Sequence, residues 1–117
     1  MGVMLLNREA ILNVKDTHQE VVDVPEWGGS VCIRAMTGAE RDDFRAAIEG
    51  AETSLVGKFE APLLALTLVD VEGKRLFTID DVEALRAKSA AVLDRLAQIA
   101  LRVNGMSDGA QEEAAKN

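Results

Sequence analysis

The sequence predicts an α+β fold, with an N-terminal β-hairpin packed on a helix-rich C-terminal part of about four helices. Three observations predict it. β-branched residues alternate on either side of PEWGG within residues 19–36. Two threonine-initiated capping patterns follow, at Thr37 and Thr78. Apolar residues then recur at helical spacing through Val92, Leu96, Ile99 and Val103.

Taken in order, Asn7 to Val14 has helical composition and could make two turns, with Ala10, Ile11 and Val14 on one side. Val21, Val22 and Val24 then mark a strand. From Ser30 to Met36 the pattern alternates, with Val31, Ile33 and Ala35 on one face and Cys32, Arg34 and Met36 on the other. Between them, Pro25 fixes φ and removes a donor, and Gly28-Gly29 can take the positive φ of a tight reversal. TGAE at 37–40 is a capping box that starts a helix whose inward stripe is Phe44, Ala47 and Ile48, with Gly50 as its stop. Residues 51–57 read as a link.

The run from Lys58 to Val69 suits a buried helix or a strand. Its leucine and alanine content favours a helix, with Pro62 in the first turns. DVEGK is a turn at Gly73. TIDD at 78–81 caps another helix, with Asp80 and Asp81 at the positive end of its dipole. Val82, Leu85 and Ala84 are its inward candidates, and Ser89 interrupts or recaps the chain. The helix through Val92 and Val103 stops at Asn104-Gly105. One domain over 1–106 is expected, followed by a polar, acidic tail at 107–117.

Composition removes several functions. The 117 residues carry a net charge of −7, which disfavours nucleic-acid binding because phosphate contact needs a basic surface. Cys32 is the only cysteine, so no internal disulfide can form. The longest apolar run, Ala61 to Val69, is about half of what a bilayer requires. No basic region precedes the apolar residues of MGVMLLNREA, as a signal peptide would need. Leu6 stands where a myristoylation motif wants Ser or Thr.

No catalytic, cofactor-binding or metal-binding constellation is visible. His18, the only histidine, has no second ligand nearby and reads as a surface residue. Cys32 in a strand reads as a small hydrophobe, with no basic partner to activate it. DVEGKRLFTIDD resembles a calcium loop, but the spacing fails. With Gly73 at loop position 6, Leu68 and Ile79 occupy positions 1 and 12; with Asp70 at position 1, Arg75 takes the glycine's place. An acidic, helix-rich domain with this much apolar surface works by binding or assembling.

VPEWGGSVCIRAMTGAERDDF resembles the front half of the tail assembly chaperones of long-tailed, non-contractile bacteriophages. The match continues through LVDVEGKRLFTIDDVEALRAKSAAVLDRLAQIALRVNGM, so the resemblance covers roughly residues 19–106. The PEWGG turn, a strand and TGAERD carry most of its specificity. Pro62 departs from the uninterrupted helix former expected there.

The resemblance implies a non-enzymatic protein, without cofactor, from phage or prophage. Its implied partner is the long, helical tape-measure protein, which it would coat before the tail tube polymerises. The resemblance further implies a frameshift-extended form that recruits the tail tube protein, a homo-oligomer, and action in the host cytoplasm with absence from the mature virion. Partner-binding candidates are Trp27, Val92, Leu96, Ile99 and Val103. The α-helical stripe also reads as ordinary core, and Trp27 as a core plug packed on the helices or an exposed contact. The alternative is a small structural or connector subunit retained in the virion.

Overall fold

Alternating valines become two strands of a twisted hairpin. The computed structural model describes residues 2–49 and 59–106. The expected helix stop at Gly50, the link at 51–57 and the tail at 107–117 lie outside the described residues. Strands β1 (Gln19–Val24) and β2 (Gly29–Arg34) pair antiparallel, with Val22 opposite Val31 and Val24 opposite Gly29. The amide of Ala35 donates to the carbonyl of His18 at 2.7 Å and extends the ladder by one rung. A 3-10 turn, Pro25–Trp27, joins the strands. Gly28 closes it at φ 77°, donating to the Pro25 carbonyl at 3.0 Å. Of the two adjacent glycines only Gly28 uses positive φ; Gly29 is an ordinary first strand residue.

The period of two sends Val22, Val24, Val31 and Ile33 to one face, and that face meets the core. A third strand, β3 (Leu68–Val69), pairs antiparallel with β2, setting Leu68 opposite Ile33 and Val69 opposite Cys32. Sequence composition gave these two residues to a helix. In the structure the helix α3 (Glu60–Thr67) ends first, and the chain turns into the sheet. An all-apolar run has no period to mark such a change, so the boundary is set by the sheet rather than by the run.

α3 is the centre of the molecule. Every residue from Ala61 to Thr67 is buried. Pro62 sits in its first turn, where a missing N–H costs no hydrogen bond; the first helical bond runs from the Leu63 amide to the Phe59 carbonyl at 3.0 Å. The Thr67 hydroxyl is fully buried and donates back to the Leu63 carbonyl at 2.8 Å, so no polar atom of that side chain is stranded.

α2 (Gly38–Glu49) begins at the expected capping box. The Glu40 amide donates to the Thr37 hydroxyl at 3.1 Å, and the Thr37 amide donates to the Glu40 carboxylate at 2.9 Å. α2 buries Phe44 on α3. Thr78 is likewise bonded reciprocally to the next turn, yet it starts a single 3-10 turn, Ile79–Asp81, before the short α4 (Val82–Arg86). Ser89 recaps the chain by accepting from the Val92 amide, and α5 (Ala90–Val103) follows.

α5 packs on both α3 and the hairpin. Its buried residues Val92, Leu93, Leu96, Ala97 and Ala100 form one stripe. Each large one contributes about 1.5–3 kcal/mol by leaving water. Asn104 ties its end to the strand exit: its side-chain oxygen accepts from the Met36 amide at 2.7 Å, and its carbonyl accepts from Arg41 at 3.0 Å. The chain before β1 is different. Asn7 caps a short helix, α1 (Arg8–Asn13), that buries no residue at all.

Candidate docking surfaces

The hairpin tip is tied to α5 by an ion pair. Glu26, in the 3-10 turn, receives two hydrogen bonds from Arg95 of α5, at 2.7 and 2.9 Å. Glu20, near the start of β1, receives one from Arg102 at 2.7 Å. The two arginines are two helical turns apart, so α5 runs antiparallel to β1 with an ion pair at each end. The Arg95 hydrogen bonds, helped by the turn's own backbone and by the guanidinium charge, lower the Glu26 carboxyl from 4.5 to about 2. The same bonds raise Arg95 above its ordinary value. Both side chains are nearly half exposed, so water screens much of the attraction.

Trp27, next to Glu26 in the turn, lies beside α4. Trp27, Phe77, Ala84, Leu85 and Lys88 line an open groove of about 420 Å³. Leu85 is buried with Ala61 and Ala65, and Phe77 packs over both that cluster and the central core. The floor is therefore fixed by α3, and the walls come from the hairpin tip and α4. Trp27 remains 37% exposed. Leu76 and Ile79 continue the apolar surface along the chain on either side of Phe77 and Thr78.

A second, polar cleft of about 810 Å³ lies at the hairpin base, lined by Val14 to Thr17, Gln19, Arg34, Thr37 and Val71 to Gly73. Arg34 is its organiser. It donates to the Gly73 carbonyl at 2.9 Å and to both Glu40 carboxylate oxygens, while Arg75 approaches the same carboxylate at 3.5 Å. Gly73 lies at φ 84°, and the Asp70 carboxylate accepts from the Glu72 and Lys74 amides. Asp70 thus builds the turn that sequence reading assigned to it. Before the cleft, the arm Gly2–Val14 carries Val3, Met4, Leu5, Leu6, Ile11, Leu12 and Val14 exposed to solvent.

The α5 stripe named from sequence does not meet Trp27 at one surface. Val92 and Leu96 are 2% and 0% exposed and belong to the core; Ile99 and Val103 are half-buried against it. Trp27 faces the groove instead. Phe77, Ala84, Leu85 and Lys88 were missed as a group because they lie about fifty to sixty residues from Trp27 and only tertiary packing brings them together. The arm's exposure had one local signal, an asparagine cap on a helix too short to stand by itself. His18 is exposed, and Cys32 is half-buried between Val21 and Val69 in register. Among the described residues, no group of three metal-ligating side chains occurs, and no helix is long and apolar enough to cross a membrane.

Residues 7–117 match the family model described as phage tail assembly chaperone. The chain belongs to the phage tail assembly chaperone family. A solved structure of the bacteriophage HK97 tail assembly chaperone matches this chain with a TM-score of 0.60. The match covers 81% of this chain and 90% of that one at 22% identity, which shows a shared fold. No curated protein matches the chain. The matched region takes in the hairpin, the groove and α5, whereas Gly2–Leu6 precede it.

Proposed function

We propose that this chaperone binds the tape-measure protein and keeps it soluble during tail assembly, without catalysing a reaction. The observation that carries the reading is the apolar groove at the hairpin tip, formed on an acidic domain of the chaperone family. An amphipathic helix can lay its apolar face against Trp27, Phe77 and Leu85, while the net charge of −7 keeps the complex dispersed. Of the five sequence-chosen contacts, Trp27 is the one we place on this surface. Val92, Leu96, Ile99 and Val103 act behind it by holding the sheet to α3.

One groove covers only a short part of a long helix, so many copies are needed for each partner chain. A frameshift-extended form would add recruitment of the tail tube protein. The work is done in the host cytoplasm, and the chaperone leaves before the virion is complete. Co-expression with the long helical protein tests this. The wild type should keep that protein soluble and co-purify in excess over it, whereas Ala84→Arg, which fills the groove from an exposed position, should fail while remaining folded by circular dichroism. Precipitation of the long protein beside abundant, folded wild type would overturn the reading. Finding the chain in purified particles would support the alternative, a retained structural or connector subunit.

A further inference from the structure

The N-terminal arm has no place in the fold that carries it. Val3, Met4 and Leu5 are 86%, 86% and 88% exposed. α1 has six residues and buries none, although an isolated helix shorter than about 12 residues is marginal in water. Its ends are nonetheless specified: Asn7 accepts from the Ala10 amide at 2.8 Å, and the Val14 amide returns to the Ile11 carbonyl. Its apolar residues Ile11 and Leu12 are exposed, so this capped helix has no surface to pack on among the described residues.

The groove has the complementary properties. It is apolar, it is open, and its rim carries Lys88, which makes no ion pair among the described residues. The arm carries one acid, Glu9, only loosely paired with Arg8 at 3.7 Å on the surface. Arg8 and Glu9 sum to zero (+1 −1), so all of the chain's −7 lies outside Gly2–Val14. Two such acidic bodies repel, and the neutral arm is the segment that can approach a second copy at least electrostatic cost.

The arm does not return to its own groove. It leaves from the hairpin base, where Val14 to Thr17 lie beside Arg34 and Gly73 in the polar cleft. With Val14 in that cleft and Val3, Met4, Leu5 and Leu6 all exposed, the arm leaves its own groove open in the structure.

We propose that the arm of one copy occupies the hairpin-tip groove of another, with Leu5, Leu6 and Leu12 against Trp27 and Phe77 and with Glu9 at Lys88. The arm thereby caps a neighbour's groove until a partner helix takes it. This rests on the groove being the partner site proposed above, and it makes self-association and partner binding compete for one surface.

The test uses the chain's only tryptophan as a reporter. As full-length wild type is concentrated, its mass by light scattering should rise, and Trp27 emission should shift to the blue in step. Leu5→Asp with Leu6→Asp alters two exposed residues and should keep the fold; it should hold the mass of one chain and the redder emission, with self-association weakened at least about tenfold. A synthetic peptide of residues 2–14 should bind this variant and restore the blue shift, and should fail to bind Ala84→Arg. Wild type that stays monomeric, association without a change at Trp27, an arm variant that associates like wild type, or a peptide that does not bind would each overturn the proposal. None of these readouts involves the tape-measure protein, so failure of the solubilisation experiment is distinguishable from failure here.

Discussion

α3 and α1 are both short, both carry leucine and both are near the size of two helical turns, yet one is buried from Ala61 to Thr67 and the other buries nothing. After Glu60, α3 has no charged residue and offers apolar or small side chains in every direction, so it can sit among α2, α4, α5 and the sheet. α1 mixes Arg8 and Glu9 with Ala10, Ile11 and Leu12, and no element among the described residues covers it. Hydrophobicity does not by itself decide burial. A helix is buried when neighbouring elements converge on it, and an apolar helix left outside that convergence is available to another chain.

The largest expected difference comes from making the same truncation in both helices. Leu63→Ala empties part of a fully buried site and should cost about 2–5 kcal/mol in urea unfolding. Leu12→Ala should change stability by less than about 0.5 kcal/mol, measured on dilute protein where copies are apart. Equal losses at both positions would erase the contrast and put α1 in the core.

The next effect separates the two adjacent glycines. Gly28 lies at φ 77° with open space around it, so Gly28→Val should cost about 1–3 kcal/mol through the backbone alone. Gly29 opens β2 with similar room, and Gly29→Val should be close to neutral because a strand suits a β-branched residue. Thermal melts of the two variants give the comparison.

A smaller effect concerns the Glu26–Arg95 contact, which ties the hairpin tip to α5 and has no counterpart in α1. The folded Glu26 carboxyl is depressed to about 2, so its stabilisation is present above 4.5 and is lost as pH falls through about 2. Arg95→Ala should return Glu26 towards 4.5 in a side-chain NMR titration and should remove this part of the acid dependence. An unchanged Glu26 titration would show that Arg95 does not hold it.

Much of the fold was legible because it is written locally. The hairpin follows from alternation around PEWGG, and the start of α2 from the Thr37–Glu40 box. α5 follows from the stripe through Val92 and Leu96. What was illegible depends on distant neighbours. Leu68 and Val69 become strand because β2 lies beside them. Thr78 caps a 3-10 turn before α4, although its sequence reads like any helix start. The groove needs Trp27 and Leu85 in one place, and the packing of the hairpin on α5 and of α4 on α3, together with the Glu26–Arg95 contact, puts them there. α1 was readable as a helix, but its exposure was not, since the periodicity of a helix does not say which chain supplies its partner.

Hydrogen–deuterium exchange across a range of protein concentrations tests most directly whether α1 is apolar for the sake of another copy. Amides of α3 should be protected equally at every concentration. Amides of Arg8–Asn13 should exchange freely in dilute protein and become protected as copies associate, together with those around Trp27 and Ala84. Protection of α1 at the lowest concentration would mean that it packs on its own chain. No protection at the highest, with the protein associated, would mean that copies meet through some other surface.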